Sequence, residues 1–353
     1  MDIKALQADA IEMLKTLISI PSFSREEAEV ADKTEEIIKS MGYTPQRNNN
    51  NLWIIAPGYD KKRPTILLNS HLDTVKPGNN WNSDPHTPYS KNDKLIGLGS
   101  NDAGGPLVSL LATFRYLAKK EQSYNLIFAA TSEEEISGKN NVGSILSKLG
   151  KIDLAIVGEP TQMQMAVAEK GLLVIDGVVN GKSGHAARNE GENAILKALP
   201  VIEFFKNYKF EKRSPFLGDV KMTITGIEAG TQHNVVPDKC TFMVDIRVNE
   251  CYTNKEVFNI LKNKVGCEIK ARSLRLNSSS IRYNHPIVIK GENMGLTPFG
   301  SPTTSDQAVM PFETIKIGPG DSARSHTANE YITYNEIKEG IKTYINLLDN
   351  LQF

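Results

Sequence analysis

The sequence predicts a two-part α/β protein: one domain with a mostly parallel central sheet, interrupted by a small inserted α+β domain. Three observations carry this. Short apolar runs alternate with amphipathic helical segments through residues 1–170, the pattern of a sheet covered by helices on both faces. Longer strands of alternating polarity and two helices then follow, and from about Asn284 the first style returns. The expected division is residues 1–170 with 284–353, and an inserted domain at 171–283. A chain of 353 residues is long for a single core, which fits two domains.

Taken in order, residues 3–18 carry apolar positions at helical spacing (Ile3, Leu6, Ala10, Ile11, Leu14), and Pro21 stops that helix. Ser24-Arg25-Glu26-Glu27 reads as a capping box opening a second helix, which Gly42 closes. Asn51–Ala56 and Thr65–Asn69 read as strands, the second a continuous apolar run suited to a sheet interior. After a polar loop at 77–93 comes the helix Ala103–Lys119, then buried strands at Asn125–Thr131 and Asp153–Gly158. In the insertion, Gly171–Val179, Val220–Ile227, Cys240–Val248 and Glu268–Arg275 read as strands. Glu192–Tyr208 and Asn254–Val265 read as helices there, an open-faced α+β arrangement. Asn335–Leu348 is a terminal helix.

Charge is balanced, with 41 basic and 41 acidic residues, so nucleic acid or an acidic membrane surface is not an expected partner. No apolar run approaches the roughly 20 residues a membrane helix needs. The N-terminus does not read as a signal peptide. Cys240, Cys251 and Cys267 lie away from the acidic motifs and read as small apolar residues. A cytoplasmic location is the expectation.

Chemistry-bearing residues gather at strand ends. His71 and Asp73 sit two apart at the end of one strand: the histidine suits a metal through one ring nitrogen, and the carboxylate suits the other N–H. Asp102 opens a helix, Glu133-Glu134-Glu135 follows a strand, Glu159 follows the next, and His326 lies near the C-terminus. Each alone has a plainer explanation: a surface motif, an N-cap aspartate, a solvated acidic loop, a turn glutamate. Together they reverse that balance, because a parallel sheet aligns its strand ends into one site. Clustered carboxylates and imidazoles are unfavourable unless a cation binds them. Oxygen-rich ligation with histidine suits zinc, with manganese or cobalt as alternatives, and points to a hydrolase holding two metals.

These motifs resemble the co-catalytic di-zinc amidohydrolases that include acetylornithine deacetylase, succinyl-diaminopimelate desuccinylase, aminoacylase and glutamate carboxypeptidase. HLDTVKP is similar to the family's HxDxxP, with Pro77 one place late. LGSNDAGG resembles its GRGxxDxKGG, departing at Leu98, Ala103 and Gly104. TSEEE is similar to its TxDEE, with Glu133 in the place of aspartate, and VGEPT and SHTANE supply the later elements. Gly181–Ala187, Gln232–Pro237 and Asp245-Ile246-Arg247 resemble motifs of the family's lid domain.

The resemblance implies a zinc-peptidase-like catalytic domain with a lid or dimerisation domain inserted. His71, Asp102 and Glu159 would hold one zinc; Asp102, Glu135 and His326 the other. Glu134 would be the general base, unless Glu133 takes that place, and Asp73 would support His71. His185 would polarise the scissile carbonyl, from its own or a partner subunit. Asn234 and Arg247 would grip the substrate carboxylate, with Lys170, Ser305 and Gly318 as further substrate contacts. The implied reaction is hydrolysis of an N-acyl amino acid, first N-acetylornithine or N-succinylornithine to ornithine, in arginine biosynthesis. Alternatives are a succinyl-diaminopimelate desuccinylase, an acetyl-lysine deacetylase, a di- or tripeptidase, or, in another class, an inactive binding protein. A homodimer through the inserted domain is the implied assembly.

Overall fold

A computed structural model describes residues 2–353. It divides into two compact units, one comprising the chain up to Val167 with Ser280–Phe299 and Ser305–Phe353, the other Ala168–Ser279 with Gly300–Thr304.

The larger unit is built on a mixed sheet. Its strands run in the order Gln46–Asn48, Asn51–Ile55, Asn125–Thr131, Thr65–His71, Leu154–Val157, Thr314–Lys316, Met165–Glu169, Ser279–Ser280, with Pro298–Ser301 also paired to Met165–Glu169. The four middle strands are parallel, and the flanking ones pair antiparallel. The parallel strands are buried along their whole length, as continuous apolar runs covered on both faces require. Their register fixes the site. His71 lies opposite Thr131, Asn69 opposite Val157, and Val157 opposite Lys316. The segments that leave these strands, starting at Leu72, Ser132, Gly158 and Ile317, therefore emerge along one sheet edge. Helices Ile3–Ile18, Gly105–Leu117 and Tyr334–Leu348 pack together, presenting Leu14, Leu110 and Tyr344 to the interior. A small sheet of Tyr331–Thr333, Lys94–Ile96 and Tyr89–Lys91 follows directly on Glu330, whose carbonyl accepts the Gly97 N–H at 3.0 Å.

Two expected helix starts differ. The second helix is Ala28–Ser40, with no side-chain cap; the Ser24 hydroxyl instead donates to Asp73 Oδ2 at 2.7 Å. The helix expected from Ala103 begins at Gly105, preceded by a π-type turn over Ser100–Gly104 in which Asp102 is extended (φ −119°, ψ 100°). Asp102 is thus not an N-cap; its side chain makes no capping bond.

The smaller unit is an antiparallel sheet in the order Lys221–Ala229, Lys239–Val248, Gly171–Asn180, Glu268–Ala271. Alternate residues (Leu173, Ile175, Phe242, Val244, Ile246) pack against helices Ala194–Asn207 and Asn254–Lys264. Asn193 caps the first helix, which continues through Pro200, and a Thr253–Glu256 capping box opens the second. Among the described residues no helix is long and apolar enough to cross a membrane.

Candidate metal centre

The centre forms where the parallel strands end. His71, the last residue of its strand, is buried, with Nε2 3.3 Å from Asp102 Oδ1 and 3.8 Å from Glu159 Oε1. Its Nδ1 lies 2.9 Å from the backbone oxygen of Asp73 and 3.5 Å from that residue's carboxylate. The expected imidazole–carboxylate pair is therefore mainly an imidazole–carbonyl contact, because Asp73 lies beyond the strand end. The Asp73 carboxylate instead accepts the N–H groups of Glu134 at 3.0 Å and Glu135 at 3.1 Å.

Asp102 faces both histidines, Oδ1 toward His71 and Oδ2 3.7 Å from His326 Nε2. His326, in a left-handed backbone conformation (φ 59°), brings the same nitrogen within 3.0 Å of Glu135. The three consecutive glutamates separate. Glu133 is buried at φ 54°; its carboxylate accepts the backbone and side-chain N–H groups of Asn140, and its own N–H donates to Glu27. A Cβ at Gly138 would lie 1.9 Å from Glu133 Oε2, so only glycine lets that carboxylate fold back. Glu134 and Glu135 reach the cluster.

The electrostatics are those of anions crowded out of water. Desolvation, then repulsion by Glu159, Asp306 and Glu135, raises Glu134 well above the carboxylate range, against the pull of His71. Burial pushes Glu159 up to about 8. Glu135 raises His326 to about 9. Burial opposes protonation of His71, yet Asp102 and Asp73 lift it well above its usual value.

Donor atoms of His71, Glu134 and Glu159 lie within 4.8 Å of one another, as do those of His71, Asp102 and Glu135. Glu159 Oε1 is buried without a hydrogen-bond partner. An orphaned carboxylate oxygen inside converging oxygen and imidazole donors fits a divalent cation. These groups differ from the two ligand sets implied by resemblance: His71 enters both, Glu134 joins one, and His326 meets its partners outside them. Asp102 nevertheless lies 3.3 Å from His71 and 3.7 Å from His326, one histidine of each implied set.

The remaining predicted residues stand as follows. Ser305 is buried at the start of a 3₁₀ turn and accepts the Gln307 N–H at 3.4 Å. Gly318 packs on the Glu159 backbone, and its N–H donates to Thr161 Oγ1 at 3.0 Å. In the smaller unit, exposed His185 pairs by a β-bridge with Val235, and the Asn234 carbonyl accepts the Ala186 N–H at 3.0 Å. Arg247 is held bidentate by Asp245, at 2.8 and 3.1 Å. Lys170 donates to the Asp219 carbonyl at 3.1 Å; burial, then Lys221 and Arg247, lower its pKa.

Two residues without a specific role in the sequence reading also reach the centre. Asp306 accepts from Thr131 Oγ1 at 3.0 Å and Asn141 Nδ2 at 3.2 Å, and its charge bears on Glu134. Glu330 is buried behind Asp102, pushed up to about 8 by burial and by that neighbour. For Glu330 the local signal is an acidic residue just past His326.

The family model "Peptidase family M20/M25/M40" matches residues 67–350. The chain is 26% identical over 357 residues to [LysW]-lysine/[LysW]-ornithine hydrolase of Sulfurisphaera tokodaii, covering 96% of this chain and 95% of that one. It is 27% identical over 378 residues to succinyl-diaminopimelate desuccinylase of Buchnera aphidicola, covering 98% and 100%. The fold is similar to the Bacillus subtilis YXEP protein, a dinuclear metal binding peptidase (TM-score 0.75, 16% identity, 98% of each chain). It is also similar to aminopeptidase PepT of Bacillus cereus (TM-score 0.74, 19% identity, 97% and 98%).

Proposed function

The chain belongs to peptidase family M20/M25/M40, and from that premise we propose that it hydrolyses N-acetylornithine or N-succinylornithine to ornithine. Two divalent ions, zinc first and cobalt or manganese as substitutes, would be held by His71, Asp102, Glu159, Glu135 and His326. Bound there, they would supply Lewis-acid polarisation of the amide and activation of water.

The chain's own groups divide the remaining work. Glu134, half-buried beside His71 with its proton affinity raised, takes the proton of the attacking water and passes it to the departing amine. Asp73 fixes the backbone from which Glu134 projects. His185 donates a hydrogen bond to the developing oxyanion, and Asn234 and Arg247 take the substrate carboxylate, Arg247 sharing its guanidinium with Asp245. Lys170, Ser305 and Gly318 complete the substrate contacts. The observation that carries this reading is the convergence of His71, Glu134 and Glu159 within 4.8 Å.

The two curated relatives support an amino-acid conjugate as substrate, being named for an ornithine or lysine conjugate and for a succinylated diamino acid. The second makes succinyl-diaminopimelate the closest rival. The test is amine release from N-acetylornithine, N-succinylornithine and N-succinyl-diaminopimelate by metal-stripped protein, with and without zinc or cobalt. Metal-dependent release favouring an ornithine derivative supports the proposal; a wide preference for the diaminopimelate derivative overturns the substrate assignment.

We also propose that the smaller unit forms a homodimer. Ile195, Leu196 and Leu199 are 41%, 63% and 54% exposed on one helix, and Ile227 is 51% exposed on the edge strand that packs against it. Apolar side chains grouped at a strand edge suit a second copy.

A further inference from the structure

The turn that carries Asp102 has backbone donors with no helical acceptor, because the helix starts only at Gly105. A buried carboxylate fills that concavity as a bound anion would. Glu330 Oε1 accepts the N–H groups of Asn101 at 2.7 Å and Asp102 at 2.9 Å, and Oε2 accepts that of Gly99 at 3.1 Å. Glu330 is 2% exposed, so these charge-assisted bonds form away from competing water. Asn101 adds a second tie to the same loop. It donates to the Asp321 carbonyl at 3.1 Å and the Ser325 hydroxyl at 3.4 Å, and accepts the Asp321 N–H at 2.9 Å.

Glu330 and Ser325 lie on the loop that delivers His326. Asp102 is the carboxylate whose two oxygens face the two histidines. We propose that Glu330 is a positioning residue that locks the Asp102 turn to the His326 loop, and so sets the orientation of the Asp102 carboxylate toward both histidines. The role needs a carboxylate. A glutamine there keeps the volume but replaces one acceptor oxygen with an N–H₂ group aimed at backbone donors, leaving at least one amide unpaired.

The inference rests on the metal-centre reading, but metal titration does not depend on which amide is cleaved, so failure of the substrate assignment leaves it intact. In Glu330→Gln, zinc affinity is expected to fall about 10- to 100-fold, the scale for groups that orient metal ligands. The visible spectrum of the cobalt form should change, and kcat should fall with KM nearly unchanged. The melting temperature of the metal-free variant separates positioning from bulk stability. Parent-like zinc affinity and cobalt spectrum overturn the proposal, whether or not melting drops. Should the variant not fold, amide hydrogen exchange in the metal-free parent decides: the Asn101 and Asp102 N–H groups are expected to be protected like the helix behind them. Rapid exchange at both overturns the clamp.

Discussion

The carboxylate of Asp73 accepts the backbone N–H of Glu134 at 3.0 Å, tying the proposed base to the strand end that carries His71. The same carboxylate accepts the Glu135 N–H and the Ser24 hydroxyl. Asp73 therefore organises two acidic side chains through their backbone while its own main chain orients the His71 ring.

Asp73→Asn should lower kcat by about 10- to 100-fold through misplacement of Glu134 and His71. One of the N–H or O–H donors loses its acceptor, which should lower stability by about 1–3 kcal/mol. Steady-state kinetics with urea denaturation of the metal-free form checks both; unchanged kcat contradicts the assignment.

Glu134→Gln should reduce kcat by about 10²- to 10⁴-fold. The Asp73 contact is to the Glu134 backbone and survives, so the fold should hold. Metal content and KM should change little. Glu133→Gln, on the carboxylate held by Asn140, should leave most activity in place.

Metal binding should release protons. Glu159, at about 8, and His326, at about 9, retain protons at neutral pH in the metal-free protein. A divalent cation must displace them, so its apparent affinity should rise with pH across that range. Calorimetry in buffers of different ionisation enthalpy counts the protons released. Metal-free stability should move the other way. The stabilising share of Glu159 fades as pH rises from 4.5 toward 8, and that of His326 as it rises from 6.5 through about 9.

Gly318→Ala should disturb the Glu159 loop, because the new Cβ would lie 2.5 Å from the Glu159 carbonyl oxygen and 3.0 Å from the Tyr344 hydroxyl. Overpacking of this kind costs about 1–3 kcal/mol. Thermal melting and zinc affinity should fall together.

Leu199→Glu, on the exposed helix face, should convert a dimer to a monomer in sedimentation with melting little changed. A monomeric parent protein contradicts the proposed assembly.

What was legible followed from local periodicity. The helix Ile3–Ile18 and the strand Asn125–Thr131 match their patterns because spacing and burial agree along the whole segment. The central strand Thr314–Lys316 was missed because three residues carry no period. The helix start near Asp102 departs from its local pattern because the Asp102 backbone is extended (φ −119°, ψ 100°), a conformation that no neighbouring residue in the sequence signals. Likewise the contact between Glu330 and the Asp102 backbone spans 228 residues, beyond any local signal. The acidic and imidazole motifs were visible because each follows an apolar run. Their assignment to particular oxygens depended on the path of the loops, as the turning away of Glu133 illustrates.

The most direct test of the central claim adds zinc stepwise to metal-stripped parent and Glu134→Gln proteins, measuring bound ions and ornithine released from an N-acylornithine. The account predicts two ions bound per chain in both proteins, with release rising as they bind in the parent and nearly absent in the variant. Undiminished release by the metal-stripped parent, or parent-like release by Glu134→Gln, would contradict it.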